Sequence, residues 1–335
     1  MSGGVDSSLT AALLVELGHE VDGVTLRLWG GESDQGCCSV ADVEDARRVA
    51  DHLGLDHHVF NFGPDFDRQV VAPYIAAHAE GRTPNPCVEC NRHLKFDRLL
   101  GRARALGFDA IATGHHARVV ERPDGSRRIA RGADGPKDQS YVLYMLDQAA
   151  LAQVLLPVGA LTKADVRERA AALGLRTAAK SDSQDVCFIQ ASSGRRGFLE
   201  SRIELTPGRI VDAEGHTVGE VDAVELVTVG QRRGLGLRSR QEPSFVTAVD
   251  VAAATVTMGR KEELLDRDLT LTDLVWADRP ASGPVLAQCS AHGEVRPGVL
   301  DGDVLAWDEP QLRVAPGQSV VLYDGDEVLG GAIVG

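Results

Sequence analysis

No apolar run in the sequence approaches the length of a membrane span. The apolar stretch over residues 11–17 follows Asp6, has no basic segment before it and reads badly as a secretory signal. The expectation is a cytoplasmic protein with no membrane partner. Cysteine is scarce: six thiols in 335 residues are too few for a disulfide scaffold. Positive charge is also short, with 35 Lys and Arg against 49 Asp and Glu, a net charge of −14. That balance excludes holding nucleic acid by bulk electrostatics, though not by a local basic surface. Arg195, Arg196, Arg232, Arg233, Arg238 and Arg240 cluster mid-chain, and Arg122, Arg127, Arg128 and Arg131 fall on a predicted hairpin. Each group reads either as such a surface or as a solvated face. Internal repeats and low-complexity linkers are lacking too.

What remains has room for two or three domains. The first half alternates helical and strand patterns, which predicts a parallel α/β sheet. Residues 7–17 read as a helix ended by Gly18, and residues 21–29 as a strand. Residues 40–53 read as a helix between an Ser39 N-cap and Gly54. Residues 57–62 and 108–113 are short buried-strand candidates. Residues 161–173 form a further helix, with Thr162 and Asp165 as a capping box and Gly174 as terminator. Beyond about residue 195, β-branched runs separated by Gly, Pro and Asp turns take over. Hairpins are expected over 209–218 and, with Asp324-Gly325 as its turn, over 320–329. The expected division is an α/β domain over 1–194, a small central β-rich module over 195–255 and a β-barrel-like domain over 256–335.

The chain opens on Ser2-Gly3-Gly4-Val5-Asp6-Ser7-Ser8, running straight into a helix. Adjacent glycines let several N–H groups converge, while hydroxyls and the helix N-terminus add donors and a positive dipole end. This is an anion cradle without the Walker A lysine. It matches the PP-loop of ATP pyrophosphatases, which cleave ATP between its α- and β-phosphates. That class includes amide synthetases, tRNA-modifying enzymes and sulfur transferases, and the loop alone does not choose among them.

The choice comes from two cysteine segments, Gly81-Arg-Thr-Pro-Asn-Pro-Cys-Val-Glu-Cys-Asn-Arg-His-Leu-Lys-Phe96 and Lys180-Ser-Asp-Ser-Gln-Asp-Val-Cys-Phe-Ile189. With them stand Ala112-Thr-Gly-His-His116, Lys137-Asp-Gln-Ser-Tyr141, Thr228-Val-Gly-Gln-Arg-Arg-Gly-Leu-Gly236 and Pro316-Gly-Gln-Ser319. In this order, across nearly the whole chain, they resemble the tRNA-specific 2-thiouridylases. The resemblance implies ATP-dependent 2-thiolation of the wobble uridine of tRNA, with ATP and Mg²⁺ at the phosphate loop. Cys187 would carry a persulfide loaded by a sulfur-carrier protein or cysteine desulfurase relay. Cys90 would be the nucleophile, leaving a Cys90–Cys187 disulfide to be reduced. Leu26 and Gly114 match the family's adenosine contacts, and Asn85, Pro86 and Cys87 its target-base pocket. His115, Lys137, Asp138, Gln139 and Gln318 match its tRNA-contacting segments. Thiols suit the task, since a thiolate is both a nucleophile and a carrier of sulfane sulfur. Read alone, Cys187 before Phe188-Ile189 would be a buried apolar thiol. Cys37-Cys38 and Cys289 read as structural or incidental.

The sequence departs from the family pattern at three places. Many members have Asp at position 87, a candidate acid/base; Cys87 instead creates a C-x-x-C with Cys90. No second C-x-x-C is present for zinc. Three thiolates, Cys87, Cys90 and Cys187, would suit a [4Fe–4S] cluster that binds sulfide, the route of other PP-loop tRNA thiolases and the second reading of the chemistry. The segment 290–296 lacks an Arg-Tyr pair that some relatives offer to tRNA, leaving His292 or Arg296 as substitutes. Relatives place a short apolar strand before Ser-Gly-Gly where only Met1 stands here, so the expectation is a shortened start or an initiator assigned too far downstream. The rival class, an amide-forming PP-loop enzyme, would have no use for Cys90 and Cys187. A tRNA-binding or redox scaffold without catalysis is the non-enzymatic rival.

Overall fold

The structure, a computed structural model, describes residues 1–28, 39–182, 186–189, 192–235 and 243–335. Trp29, Cys37, Cys38, Ser183, Gln184, Asp185, Gly236, Arg238 and Arg240, to which the sequence drew attention, lie outside them. No described helix is long and apolar enough to cross a membrane.

The first layer is α/β. Helix Val5–Glu16 leaves the phosphate loop directly, and its inner face packs Val5, Leu9 and Ala12 against Val49, Val158, Val166 and Ala170. Two parallel strand pairs are present: Gly23–Arg27 beside His57–Asn61, and Ile111–Ala112 beside Val154–Leu155. Helix Val40–Leu53 begins where the Ser39 hydroxyl accepts from the Asp42 N–H at 3.1 Å, and ends at Gly54, whose φ of 70° only glycine adopts without strain. Helix Lys163–Ala172 carries the expected capping box between Thr162 and Asp165.

The strand expectations need two corrections. His57–Asn61 is not buried: His58, Val59 and Asn61 are exposed, because only Gly23–Arg27 pairs with it among the described residues. Within 108–113 only Ile111 and Ala112 form a strand.

The second half is β throughout. Strands Gly208–Val211, Thr217–Val221, Phe245–Asp250 and Thr255–Gly259 make one sheet, with Gly208–Val211 and Thr255–Gly259 parallel. Strands Leu265–Trp276, Val304–Leu312, Arg296–Asp301, Gly283–Gln288, Ser319–Asp324 and Glu327–Val334 follow one another round a barrel. Pairing of Leu265–Trp276 with Glu327–Val334 closes it. Leu271, Leu300, Leu305, Trp307, Val320 and Leu322 are among the residues that fill it.

The hairpin Ala117–Glu121/Arg127–Arg131 belongs to the first layer by sequence but joins the barrel sheet, with Ala130 in register with Glu327. Its arginines are not a basic face. Arg128 is buried and reaches Glu327, Arg122 reaches the same carboxylate, Arg127 pairs with Glu121, and Arg131 pairs with Asp138.

The barrel also grips the loop that leads to the first cysteine motif. Thr83 N–H donates to the Pro316 carbonyl at 3.0 Å, and the Gln318 amide donates back to the Thr83 carbonyl. Tyr141, fully buried, donates its hydroxyl to the Ser319 carbonyl at 2.7 Å. Tyr141→Phe removes that bond and should destabilise the fold by about 1 kcal/mol. Thermal denaturation should show a fall of about 2 °C; an unchanged midpoint would mean the bond adds nothing to the docking.

Candidate functional site

The phosphate loop is shaped by two glycines and two close approaches. Gly3 has φ 71°, and a Cβ there would lie 2.3 Å from the Asp42 carbonyl oxygen. Gly4 is the N-cap of helix Val5–Glu16, and its carbonyl takes the Ser8 hydroxyl at 2.8 Å and the Ser7 hydroxyl at 3.2 Å. Ser2 N–H donates to the Ser7 oxygen at 3.1 Å. Gly114, on the turn after Ile111–Ala112, lies against the same loop, where a Cβ would stand 2.7 Å from Ser7 N. These contacts leave the first-turn N–H groups of the helix facing one opening, the geometry that favours an anion.

Cations border that opening. Lys163 Nζ lies 2.7 Å from both Asp6 oxygens and 2.9 Å from Asp182 Oδ1. Lys137 holds Asp182 Oδ2 at 2.8 Å, and Arg167 holds Oδ1 at 2.8 Å while also donating to the Ala178 and Lys180 carbonyls. His116, buried, meets Asp6 through Nε2 at 3.1 Å. Burial alone would raise the Asp6 pKa, but the bonds from His116 and Lys163 and the Lys163 charge bring it below the ordinary value. Asp182 follows the same logic: burial opposes ionisation, yet Lys137 and Lys163 hold its pKa down to about 2.

The two cysteine motifs meet on one apolar cluster. Asn85 caps the helix that starts at Pro86, accepting from Cys87 N–H at 3.0 Å. The helix then widens to π geometry over Cys90–Leu99, a form that recurs at functional sites. This places Cys90 among Leu94, Phe66, Tyr74 and Phe188, and Cys187 and Leu26 pack against the same cluster. Cys90 and Cys187, 97 positions apart, thus share one cluster, and neither is in a disulfide. Cys87 is exposed, yet the protein packed around its sulfur pushes the thiol pKa up, with Lys95 pulling the other way. Among the described residues, which include all three of these thiols, no three His, Cys, Asp or Glu side chains stand together as a metal-holding group. Burial pushes the Cys289 thiol up to about 12, which suits an inert residue.

Other expected contacts are turned inward. Asp138, with 6% of its side chain accessible, accepts from Arg131, Ser140 and the Gly132 N–H and so organises the turn it stands in. Gln139 exchanges bonds with the His116 backbone, both at 2.9 Å. Gln318 holds Thr83, as above. His115 is buried between Thr113 and Lys95, and burial first, then Lys95, takes its pKa well below the ordinary histidine value. Arg232 and Arg233 are exposed on the central sheet module, whereas Arg195 donates to the Leu226 carbonyl and Arg196 pairs with Asp222. His292 and Arg296 are exposed. An open groove beside His57–Asn61, lined by Phe60, Phe62, Arg98 and Arg102, contains none of the expected site residues.

Sequence reasoning missed Lys163, Arg167 and Asp182, and left His116 outside the site. One signal was available for Lys163. A lysine in the first turn of a helix opposes the helix dipole, so it needs a reason to be there; two carboxylates supply it.

Three family models cover the chain: a tRNA methyl transferase HUP domain over residues 1–191, a tRNA methyl transferase PRC-barrel domain over 196–260 and an aminomethyltransferase beta-barrel domain over 267–334. Among curated relatives, the tRNA-specific 2-thiouridylase MnmA of Chloroflexus aurantiacus is 47% identical over 99% of this chain and 96% of its own length. The proteins of the same name from Roseiflexus sp. and Moorella thermoacetica are 45% and 44% identical, covering 99% and 100% of this chain and 96% and 98% of their own.

The charges at Asp182 carry a pH signature. Its folded pKa of about 2 lies below the ordinary 3.8, so its contribution to stability is complete above that ordinary value and is lost as pH falls toward 2. The difference in unfolding free energy between the wild type and Asp182→Asn should be constant from pH 7 to 5 and shrink below 4. Denaturant titration at several pH values measures it, and a difference that grows on acidification would contradict the assigned charge state.

Proposed function

Because the chain belongs to the tRNA-specific 2-thiouridylase family, we propose that it uses ATP to exchange the C2 oxygen of the tRNA wobble uridine for sulfur. The observation that carries this reading is the meeting of Cys90 and Cys187 on one apolar cluster, in a chain that also folds an anion-binding phosphate loop. An amide-forming enzyme would need the loop and not the pair.

When bound, ATP supplies an electrophilic α-phosphorus that captures the uridine O2 and leaves AMP there as leaving group, with pyrophosphate departing. The loop of Ser2, Gly3, Gly4, Val5, Asp6, Ser7 and Ser8 takes the β- and γ-phosphates on its N–H groups and hydroxyls. Gly114 and Leu26 face the adenosine. Mg²⁺ binds through one or two carboxylates together with phosphate oxygens; Asp6, the carboxylate inside the loop, fits that use. Asn85, Pro86 and Cys87 form the rim that receives the base, held in place by the barrel through Thr83. Arg232 and Arg233, exposed on an otherwise acidic protein, are the basic residues offered to the tRNA backbone.

Sulfur arrives as a persulfide on Cys187, loaded by a sulfur-carrier or desulfurase relay in the cytoplasm. The Cys90 thiolate attacks the inner sulfur, a Cys90–Cys187 disulfide forms and hydrosulfide leaves. Hydrosulfide adds at C2 and expels AMP, and a dithiol reductant then restores both cysteines. The apolar cluster around the pair keeps water from competing at the activated base. The iron–sulfur route, the second reading of the chemistry, would need Cys87 as a third ligand beside Cys90 and Cys187.

Purified protein given ATP, Mg²⁺, tRNA, a persulfide donor and reductant should form 2-thiouridine, read by nucleoside mass spectrometry. Cys90→Ser and Cys187→Ser should each lower the yield at least a hundredfold, the scale of losing a nucleophile. Full activity in either serine variant would remove the persulfide route.

Position 87 provides a separate check. Cys87→Ser should stay within about threefold of the wild type, since an exposed, protonated thiol outside the pair has no sulfur to pass. Cys87→Asp should be active as well. An iron-containing protein that loses both iron and activity in Cys87→Ser would install the cluster instead.

A further inference from the structure

Lysines drawn in from solvent meet carboxylates in this chain, with one exception. Lys163, Lys137 and Lys180 hold Asp6, Asp182 and Asp42 at 2.6 to 2.8 Å. Lys95 is half-buried too, yet among the described residues no carboxylate pairs with it. Its Nζ lies instead 3.4 Å from Nε2 of His115. Burial, then the Lys95 charge, keeps that ring neutral, and Nδ1 stands 2.7 Å from the Thr113 hydroxyl. Nδ1 therefore carries the proton and donates to Thr113, and Nε2 accepts from Lys95. Phe96 braces the ring with centroids 5.8 Å apart. One ammonium donor is spent on His115 and two are left, on a cation without a counter-ion. Two neighbours locate it. His115 directly follows Gly114, which lies against Asp6 and Ser7 of the phosphate loop. Cys87 is eight residues, about two helical turns, before Lys95 and so on the same face, and the Lys95 charge reaches its thiol. The open donors thus lie between the phosphate loop and the rim of Asn85, Pro86 and Cys87.

We propose that Lys95 is a further catalytic residue, whose ammonium donates to a non-bridging oxygen of the α-phosphate while that group passes from ATP to the base. This rests on the reading of the site given above, in which the loop holds the β- and γ-phosphates and the rim receives the base, so that the α-phosphorus falls between them. In the first step the bond from uridine O2 to the α-phosphorus forms and the bond to the bridging oxygen of pyrophosphate breaks. Pyrophosphate leaves with that electron pair, and the N3 proton goes to solvent. In the second, hydrosulfide forms the C2–S bond, the C2–O2 bond breaks with its pair on AMP, and the hydrosulfide proton passes to N3. Lys95 keeps its protons throughout and offsets the charge on the α-phosphoryl oxygens in both steps. His115 is the positioning residue. A neutral acceptor aims the ammonium without cancelling its charge, which a carboxylate in the same place would do.

Two measurements on the full-length protein test this. The first follows acetylation of Lys95 by an N-hydroxysuccinimide ester, read by peptide mass spectrometry, and needs no variant. Saturating magnesium α,β-methylene-ATP should slow it about tenfold, the scale of one hydrogen bond to a charged group. Magnesium pyrophosphate, which fills the loop but brings no α-phosphate, should leave it unchanged. Labelling that ignores the ATP analogue overturns the proposal, and so does equal protection by pyrophosphate. The second measures pyrophosphate release from ATP that depends on a tRNA with an unmodified wobble uridine. Lys95→Met should lower kcat about a hundredfold and keep KM for ATP and tRNA within about threefold, and Lys95→Arg should recover most of the loss. A merely structural lysine would lower the melting temperature and would not confine its effect to kcat. Release by folded Lys95→Met within about threefold of the wild type removes the catalytic role. Wild-type release that ignores tRNA would sink the thiolation reading instead, and the labelling result would still decide whether Lys95 meets an α-phosphate.

Discussion

An ammonium group mostly removed from water must find carboxylates, and Lys163 finds two that belong to different parts of the machinery. One is in the loop that opens the chain and the other lies about 175 residues later. The lysine starts a helix whose dipole repels it, so the capping box at Thr162 and Asp165 has to set that helix in place independently. With it fixed, a single side chain links the anion cradle, through Asp6, to Asp182. The Gly114 turn then closes on the loop, with no room for a side chain between them.

Much of this was legible in the sequence because local chemistry decides it. The Ser39 cap, the Thr162 box, the left-handed glycines at positions 54 and 325 and the Gly3-Gly4 loop each follow from neighbours within a few residues. The family-specific motifs pointed to Cys90 and Cys187 without geometry. What stayed hidden depends on partners far away in the chain. The arginines of 122–131 read as either a basic surface or a solvated face, and Glu327 and Asp138 from other elements pair with Arg128 and Arg131. Asp138 and Gln318 match tRNA-contacting segments of the family, and each also satisfies backbone groups that a turn and a loop leave open. The weight of Lys163 and Asp182 lies in a network of five charges, with Asp6, Lys137 and Arg167, that no spacing rule encodes.

The cysteine motif shows how a fold can hold a reactive group firmly while leaving its surroundings adjustable. Pro86 and the Asn85 cap fix where the helix begins, and Leu94 and Phe96 anchor it in the interior. The turn over Pro86–Glu89 is α and the wider π form begins at Cys90; Cys87 and Cys90, three positions apart, differ in their surroundings, the first exposed and the second buried. A uniform α-helix would bring successive side chains of that face into closer alignment.

The strand Glu327–Val334 completes the barrel against Leu265–Trp276 and also receives the hairpin from residues 117–131. During synthesis the hairpin leaves the ribosome some two hundred residues before the strand that covers it. Its outer edge must wait unpaired through most of translation, which is when an open strand edge recruits unwanted neighbours. The short hairpin and its dense arginines make that wait safer, because a charged, brief edge is a poor template for pairing. The charges that looked like a grip for RNA thus have a use in the life of the nascent chain, before any RNA is met.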